Sequence, residues 1–123
     1  MSRILIADDE EMNREVLREL LEANGHEVRE ATDGAGAFES ACSEPPNLIL
    51  MDIRMPQMDG YATLAKLRAN PSTAGIPVVA VTAFAMGSDR QRTQAAGFDA
   101  YVSKPVDFQL LLRTIRQLLG GKG

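Results

Sequence analysis

The sequence is poor in the residues that build disulfides and soft-metal sites. Its 123 residues include one cysteine, Cys42, one histidine, His26, and no tryptophan. A single cysteine excludes an internal disulfide and any multi-cysteine metal site. A secretory signal is also missing, as is an apolar run long enough to cross a bilayer. We therefore expect a cytoplasmic protein without membrane insertion, in which the lone His26 is solvated rather than catalytic.

The charge of the chain is mildly acidic and unevenly distributed. Thirteen basic and 17 acidic residues give a net charge of −4. Such a balance provides no basic surface for direct binding of nucleic acid or of an anionic membrane. Residues 1–30 carry nine acids and four bases, so the imbalance lies at one end of the chain. The length suits a single domain with its own core.

Apolar runs alternate with helical patterns along the chain. This rhythm predicts right-handed crossover units around a parallel sheet, which is a doubly wound α/β sandwich. The second run is the least apolar and suits an edge strand, whereas the third is continuously apolar, as in a strand covered on both faces. The five strands are predicted near residues 3–8, 27–31, 47–52, 78–82 and 101–104.

The predicted helices differ in how clearly one face is apolar. The helix near residues 88–96 is weakly amphipathic, and the charges around it are expected to form a solvated face: Asp89, Arg90, Arg92, Asp99, Arg113 and Arg116. The first and last helices have clear apolar stripes. In the first helix the expected buried residues are Met12, Val16, Leu17, Leu20 and Leu21. In the last they are Phe108, Leu111, Leu112, Ile115, Leu118 and Leu119.

Four of the apolar runs end on polar residues that are suited to chemistry. The first run ends at Asp8 and Asp9, the third at Asp52, the fourth at Thr82 and the fifth at Lys104. Parallel strands end at one edge of their sheet, where ligands collect in open α/β folds. The sequence therefore predicts a pocket that holds three acids, a hydroxyl and an ammonium group.

The charges in this predicted pocket favour a divalent cation. One ammonium group offsets only one of the three carboxylates, and a bare phosphate would be repelled. Oxygen ligands without a histidine or cysteine cluster indicate Mg²⁺, or Mn²⁺ in its place. Since Mg²⁺ takes few protein ligands, such a site becomes complete with a phosphoryl group. We infer that Asp52 is a carboxylate nucleophile that forms an aspartyl phosphate.

These residues resemble the receiver domains of two-component response regulators, in particular those of chemotaxis-regulator type. The resemblance depends on motifs that follow one another in order: Asp8-Asp9, Asp52 with Met55-Pro56 and Asp59-Gly60, Thr82-Ala83, and Lys104-Pro105. Residues 78–86 also resemble DivK-type single-domain regulators. The family implies a flavodoxin-like (βα)5 fold with strand order 2-1-3-4-5. It implies a receiver domain at residues 1–119, with residues 120–123 as a disordered tail or linker remnant.

The resemblance also implies the acceptor and the metal ligands. Asp52 would be the phosphoacceptor. Asp9 would bind Mg²⁺ directly and Asp8 mainly through water, while the backbone carbonyl of Arg54 would be a further ligand.

The remaining site residues would carry the switch. Lys104 would pair with the acceptor carboxylate and then with the phosphate, and a cis peptide bond before Pro105 would aim it at the pocket. Thr82, with the backbone N–H of Ala83, would close onto the phosphoryl oxygen. Tyr101 would then turn inward into the vacated space.

The resemblance implies a signalling switch rather than an enzyme. Its phosphoryl donor would be a sensor histidine kinase or a histidine phosphotransfer protein. Its output would be an unidentified protein or domain that binds the surface of the fourth helix, fifth strand and fifth helix. The chain would be a monomer or a weak homodimer.

Two alternatives belong to other functional classes. A phosphatase with an aspartyl intermediate usually has a second acid two residues after the nucleophile, where this chain has Arg54. A flavodoxin-like cofactor carrier is disfavoured by the acidic first loop, which repels a flavin phosphate. The sequence thus favours the switch over both.

Overall fold

The computed structural model describes residues 2–55, 57–83 and 87–120. Strands and helices alternate throughout these residues. The strands are β1 (Arg3–Ala7), β2 (Glu27–Ala31), β3 (Leu48–Asp52), β4 (Val78–Thr82) and β5 (Ala100–Ser103). The helices are α1 (Glu11–Ala23), α2 (Gly34–Ser43), α3 (Gly60–Ala69), α4 (Gly87–Ala96) and α5 (Phe108–Gly120). Residues 121–123, expected to belong to a tail, lie outside the described residues.

The strands form one parallel sheet in the order β2-β1-β3-β4-β5. This confirms the predicted doubly wound α/β fold, its strand order and the edge position of β2. The strand order changes direction between β1 and β3. The connection after β1 leads to β2 on one side, and the connection after β3 leads to β4 on the other side. Such a reversal opens a crevice at the carboxyl ends of the strands. Asp8 and Asp52 lie at the ends of the two strands that border it.

Each face of the sheet contributes to its own apolar core. Leu5 and Ile49 lie in one cluster, together with residues of α2 and α3. Ile4 and Leu50 lie in the other, together with residues of α1 and α5. Side chains alternate between faces along a strand, so a strand that is covered on both sides must be apolar at every position. All five residues of β3 are buried, which explains its uninterrupted apolar run.

Local sequence signals set the starts of α2 and α3. The carboxylate of Asp33 accepts a hydrogen bond from Gly36 N (2.7 Å), and that of Asp59 accepts one from Ala62 N (2.9 Å). Both are N-caps, which satisfy amide groups left free in the first turn. Gly60 N also donates to the carbonyl of Ile53 (2.8 Å), and a Cβ at Gly60 would lie 2.8 Å from Ile53 Cα. The loop after Asp52 therefore needs glycine at position 60.

Three apolar residues predicted to be buried are exposed. Met12 is 76 % exposed, Val16 46 % and Phe108 44 %. The prediction was wrong because Met12 and Phe108 lie in the first turns of α1 and α5, at the edge where the strands end. Val16 lies one turn further along α1 and lines an open groove at the same edge. The buried contacts of these helices begin further along, at Leu17 in α1 and Leu111 in α5.

Two of the exposed charged residues around α4 also make specific contacts. Asp99 Oδ2 accepts hydrogen bonds from Val78 N (2.8 Å) and from Arg68 (2.9 Å). The Arg90 guanidinium lies 5.7 Å from the ring centre of Tyr101. The solvated face is confirmed for the described residues, because the side chains of Arg90, Arg92, Asp99, Arg113 and Arg116 are all exposed. The side chain of Asp89 lies outside the described residues.

His26 also differs from expectation, because it is partly buried rather than fully solvated. Burial lowers the pKa of its imidazole. His26 lies before β2, at the edge of the sheet opposite the polar strand ends. Among the described residues, no helix combines the length and apolar character that crossing a bilayer would take.

Candidate functional site

The polar site at the carboxyl edge is built around a contact between Asp52 and Lys104. Lys104 Nζ donates hydrogen bonds to Asp52 Oδ2 (3.0 Å) and to Asp8 Oδ2 (3.1 Å). The other oxygen of Asp52, Oδ1, accepts a hydrogen bond from Arg54 N (3.1 Å). The Lys104 side chain is 16 % exposed. One cation therefore joins the ends of β1 and β3 from a position just after β5.

Three carboxylates come together at this edge. Oxygen atoms of Asp8, Asp9 and Asp52 all lie within 4.8 Å of one another. Asp8 and Asp52 are buried, whereas Asp9 is exposed. A cluster of hard oxygen donors that is open on one side suits a cation that keeps part of its water shell. The set of donors therefore fits Mg²⁺ or Mn²⁺.

Both the backbone and the carboxylate of Asp8 form hydrogen bonds. Its N–H donates to the carbonyl of Ala31 (3.1 Å), and its Oδ1 accepts from Glu10 N (2.9 Å). Its own carbonyl accepts a hydrogen bond from Arg14 Nη1 (2.8 Å). Arg14 could not be predicted as part of the site, because an arginine on an acidic helix has no feature that indicates which carbonyl it will reach.

Burial and charge have opposite effects on the pKa of Asp52. Burial raises the pKa of Asp52, while the hydrogen bonds from Lys104 and from the Arg54 amide partly oppose this rise. For Lys104, burial alone would lower the pKa of the ammonium group. The hydrogen bonds and charges of Asp52 and Asp8 outweigh that effect and raise it. Since protons and cations compete for the same carboxylates, cation binding should weaken as the pH falls towards the pKa of Asp52.

The other predicted site residues lie along the same edge. Thr82 ends β4 and is buried, and its carbonyl accepts a hydrogen bond from Lys104 N (2.8 Å). Ala83 follows it and is exposed. The peptide bond between Lys104 and Pro105 is cis, as the family resemblance implies. Pro56, of the predicted Met55-Pro56 motif, and residues 84–86, of the DivK-like stretch, lie outside the described residues.

Tyr101 and Arg54 are the remaining predicted site residues. Tyr101 lies in β5 and packs, partly buried, against the core that includes α2 and α3. Arg54 has an exposed side chain and contacts Asp52 through its backbone N–H. The roles predicted for the Arg54 carbonyl and for the Tyr101 ring remain predictions.

An apolar groove lies directly beside Lys104. Its lining includes Lys104 itself, Pro105, Val16 of α1 and Phe108 of α5. Two of the exposed apolar residues noted above therefore border the same groove. A macromolecule that approached Asp52 from this side would cover them.

The sequence matches the family model described as "Response regulator receiver domain" over residues 4–116. Among curated relatives, the polar-differentiation response regulator DivK of Brucella anthropi is 38 % identical over 117 residues. That match covers 95 % of this chain and 95 % of DivK. The similarity to DivK-type regulators that was predicted from residues 78–86 thus extends over nearly the whole chain.

Solved structures agree with this similarity. A putative response regulator from Chloroflexus aurantiacus superimposes with a TM-score of 0.92 at 30 % identity, over 96 % of this chain and 97 % of that one. The receiver domain of sensor histidine kinase PA1611 from Pseudomonas aeruginosa gives a TM-score of 0.90 at 33 % identity. The match covers 97 % of this chain and 98 % of the PA1611 receiver domain. That structure has a magnesium ion coordinated in its active-site cleft.

Proposed function

Because this chain belongs to the family of response-regulator receiver domains, we propose that it is a signalling switch controlled by phosphorylation of Asp52. The receiver domain would span residues 1–119. Its phosphoryl donor would be a phosphohistidine on a sensor histidine kinase or a histidine phosphotransfer protein. One observation carries the proposal: Lys104 Nζ donates hydrogen bonds to both Asp52 and Asp8 at the strand ends, beside the exposed carboxylate of Asp9.

The carboxylates of Asp8, Asp9 and Asp52, with the carbonyl of Arg54, would hold Mg²⁺. The proximity of the three carboxylates supports this ligand set. When bound, Mg²⁺ would neutralise charge on the carboxylates and on the phosphoryl oxygens. Mn²⁺ has the same preference for oxygen ligands and would substitute for it.

The protein residues supply the nucleophile and the positive charge of the transfer. An Asp52 oxygen attacks phosphorus, the new O–P bond forms, and the P–N bond to the donor histidine breaks. The bonding pair of that P–N bond stays on the imidazole nitrogen. Lys104, already 3.0 Å from Asp52 Oδ2, turns to a phosphoryl oxygen as the carboxylate loses its charge. Positioning and charge stabilisation account for most of the catalysis in such transfers.

The phosphoryl group would then change the surface around α4. Thr82 would bind a phosphoryl oxygen together with the N–H of Ala83, and Tyr101 would move inward. The contact between Arg90 and the Tyr101 ring supports a coupling to α4, because movement of the ring would remove this contact. The output partner would bind the surface formed by α4, β5 and α5.

Replacing Lys104 with Ala is expected to slow phosphorylation by a small phosphodonor about a hundredfold, as does the loss of one charge-stabilising donor elsewhere. The fold should persist, because Lys104 contributes to no apolar core. The residual phosphoryl group should also produce smaller chemical-shift changes around α4, because the ammonium that responds to it is absent. Rates by intact-mass spectrometry and shifts by NMR test both effects. Lys66→Ala is the control, and equal shift changes in Lys104→Ala and wild type would contradict this role.

Replacing Phe108 with Ser is expected to slow transfer from a histidine phosphotransfer protein about tenfold, equivalent to ~1.4 kcal/mol. The rate of phosphorylation by a small phosphodonor should be unchanged, because a small molecule, unlike a protein donor, does not need to contact the groove beside Lys104. Leu110→Ser is the matched control, since Leu110 is 42 % exposed on the same helix but lies outside the groove. Equal slowing of both reactions, or equal effects of the two variants, would argue against docking at this groove.

A further inference from the structure

Arg14 connects two neighbouring strand ends beneath the acidic site. Its Nη1 donates to the carbonyl of Asp8 (2.8 Å), and its Nε donates to Glu30 Oε1 (2.9 Å). The side chain is 13 % exposed, so its guanidinium is largely removed from water. A charged group in such a place is stable only when it is well hydrogen-bonded, and loss of a partner is costly. The geometry of Arg14 is therefore fixed by Asp8 and Glu30.

The contact with Asp8 restrains the backbone from which two metal-binding carboxylates project. Asp8 and Asp9 are adjacent, and both belong to the carboxylate cluster. β1 ends at Ala7 and α1 begins at Glu11, so this stretch lies between two elements, attached to β2 by the hydrogen bond from Asp8 N to the Ala31 carbonyl. The hydrogen bond from Arg14 returns from the first turn of α1 to this stretch. It thereby sets the direction in which the acidic pair faces Asp52.

We propose that Arg14 is a positioning residue that orients Asp8 and Asp9 for cation binding, an inference that rests on the proposed function. Arg14 contacts the Asp8 carbonyl rather than any carboxylate of the cluster, so its role is not that of a ligand. Partners that orient the ligands of a metal are worth about tenfold to a hundredfold in affinity. Loss of the Arg14 contact should weaken cation binding without removing a ligand.

Arg18 offers a matched control within the same network. It hydrogen-bonds the other carboxylate oxygen of Glu30, and no hydrogen bond joins it to Asp8 among the described residues. Arg14→Met and Arg18→Met each remove one positive charge and one ion pair from Glu30, and each leaves Glu30 with one arginine. They differ in the hydrogen bond to the Asp8 carbonyl and in burial, because the Arg14 side chain is 13 % exposed and that of Arg18 is 42 % exposed. The Asp8 contact is therefore read from the signals of residues 8–10, which a loss of packing elsewhere on α1 would not change selectively.

The test is a titration of each protein with MgCl₂, followed by the backbone amide signals of residues 8–10 in NMR spectra. Arg14→Met should weaken the apparent affinity about tenfold, and Arg18→Met should stay within about twofold of wild type. Without metal, amide hydrogen exchange at Glu10, whose N–H binds Asp8 Oδ1, should accelerate in Arg14→Met alone. Arg14→Lys should give an intermediate affinity, because one ammonium cannot bridge Asp8 and Glu30 as a guanidinium does.

The outcomes separate this inference from the proposed function. If wild type fails to bind Mg²⁺, the proposed metal site is wrong whatever Arg14 does. If wild type binds Mg²⁺ and Arg14→Met binds it equally well, or if both methionine variants lose the same affinity, only the role of Arg14 is overturned. Should Arg14→Met fail to fold, the comparison is made between Arg14→Lys and Arg18→Lys. Equal affinities in that pair would then overturn the inference.

Discussion

Replacing Asp52 with Asn is expected to abolish acid-labile phosphorylation of this protein. The amide oxygen is a far weaker nucleophile than the carboxylate, although it can still accept the hydrogen bond that Lys104 Nζ donates to Asp52 Oδ2. The fold should therefore persist while the reaction is lost. Intact-mass spectrometry after incubation with a small phosphodonor and Mg²⁺ measures the effect. Wild type should gain one phosphoryl group, and Asp52→Asn none.

Asp59→Asn is the matched control for this substitution. Asp59 caps α3 and lies in the loop that follows the acceptor strand. Asparagine caps helices about as well as aspartate, so the control should fold and be phosphorylated as wild type is. Equal labelling of Asp52→Asn and wild type would refute the acceptor assignment.

Removing divalent cations with excess chelator is expected to have a comparably large effect on the wild-type protein. Asp8, Asp9 and Asp52 would then present their negative charges to the phosphodonor, with Lys104 as the neighbouring cation in ion-pair contact with Asp8 and Asp52. Charge stabilisation by a metal is worth several kcal/mol, so the rate should fall by at least about a hundredfold. The rate of phosphoryl incorporation, followed by intact mass, measures the loss.

Restoring Mg²⁺ provides the control for chelation, because it should recover the full rate. Circular dichroism should be the same with and without the cation, since the apolar clusters on both faces of the sheet hold the fold together. Labelling that persists in excess chelator would contradict the charge argument on which the metal site rests.

The fold was predictable because its three central strands, β1, β3 and β4, are buried on both faces. A strand such as β3, buried at every position, must be apolar throughout, and that requirement is visible in the sequence. The polar residue that ends each run then marks the sheet edge. For this reason the grouping of Asp8, Asp9, Asp52 and Lys104 could be expected before any coordinates.

Contacts that depend on the path of a single side chain could not be predicted. Nothing in the sequence distinguishes Arg14, which reaches the Asp8 carbonyl, from Arg18, which does not. Similarly, helical periodicity assigned Met12 and Phe108 to buried faces. Periodicity shows on which side of a helix a residue lies, but not whether the sheet extends far enough to cover that residue. The exposure of both residues is a property of where the sheet ends.

The two alternative functions lose support from the family to which the chain belongs. In the phosphatase alternative a second acid would stand two residues after Asp52, and this chain has the exposed side chain of Arg54 there. In the cofactor-carrier alternative a flavin phosphate would bind the first loop, where the carboxylates of Asp8 and Asp9 lie close together. The residues at these two places suit a bound cation and a transferred phosphoryl group better than they suit a phosphatase acid or a flavin phosphate.

The most direct test of the acceptor assignment is to trap the phosphorylated residue chemically. Borohydride reduces an aspartyl phosphate to homoserine with release of phosphate, and peptide mass mapping then locates the changed residue. The proposed function predicts homoserine at Asp52 and unchanged aspartate at positions 8, 9 and 59. Homoserine at any of those three positions, or a phosphorylated protein with unmodified Asp52 after reduction, would contradict it.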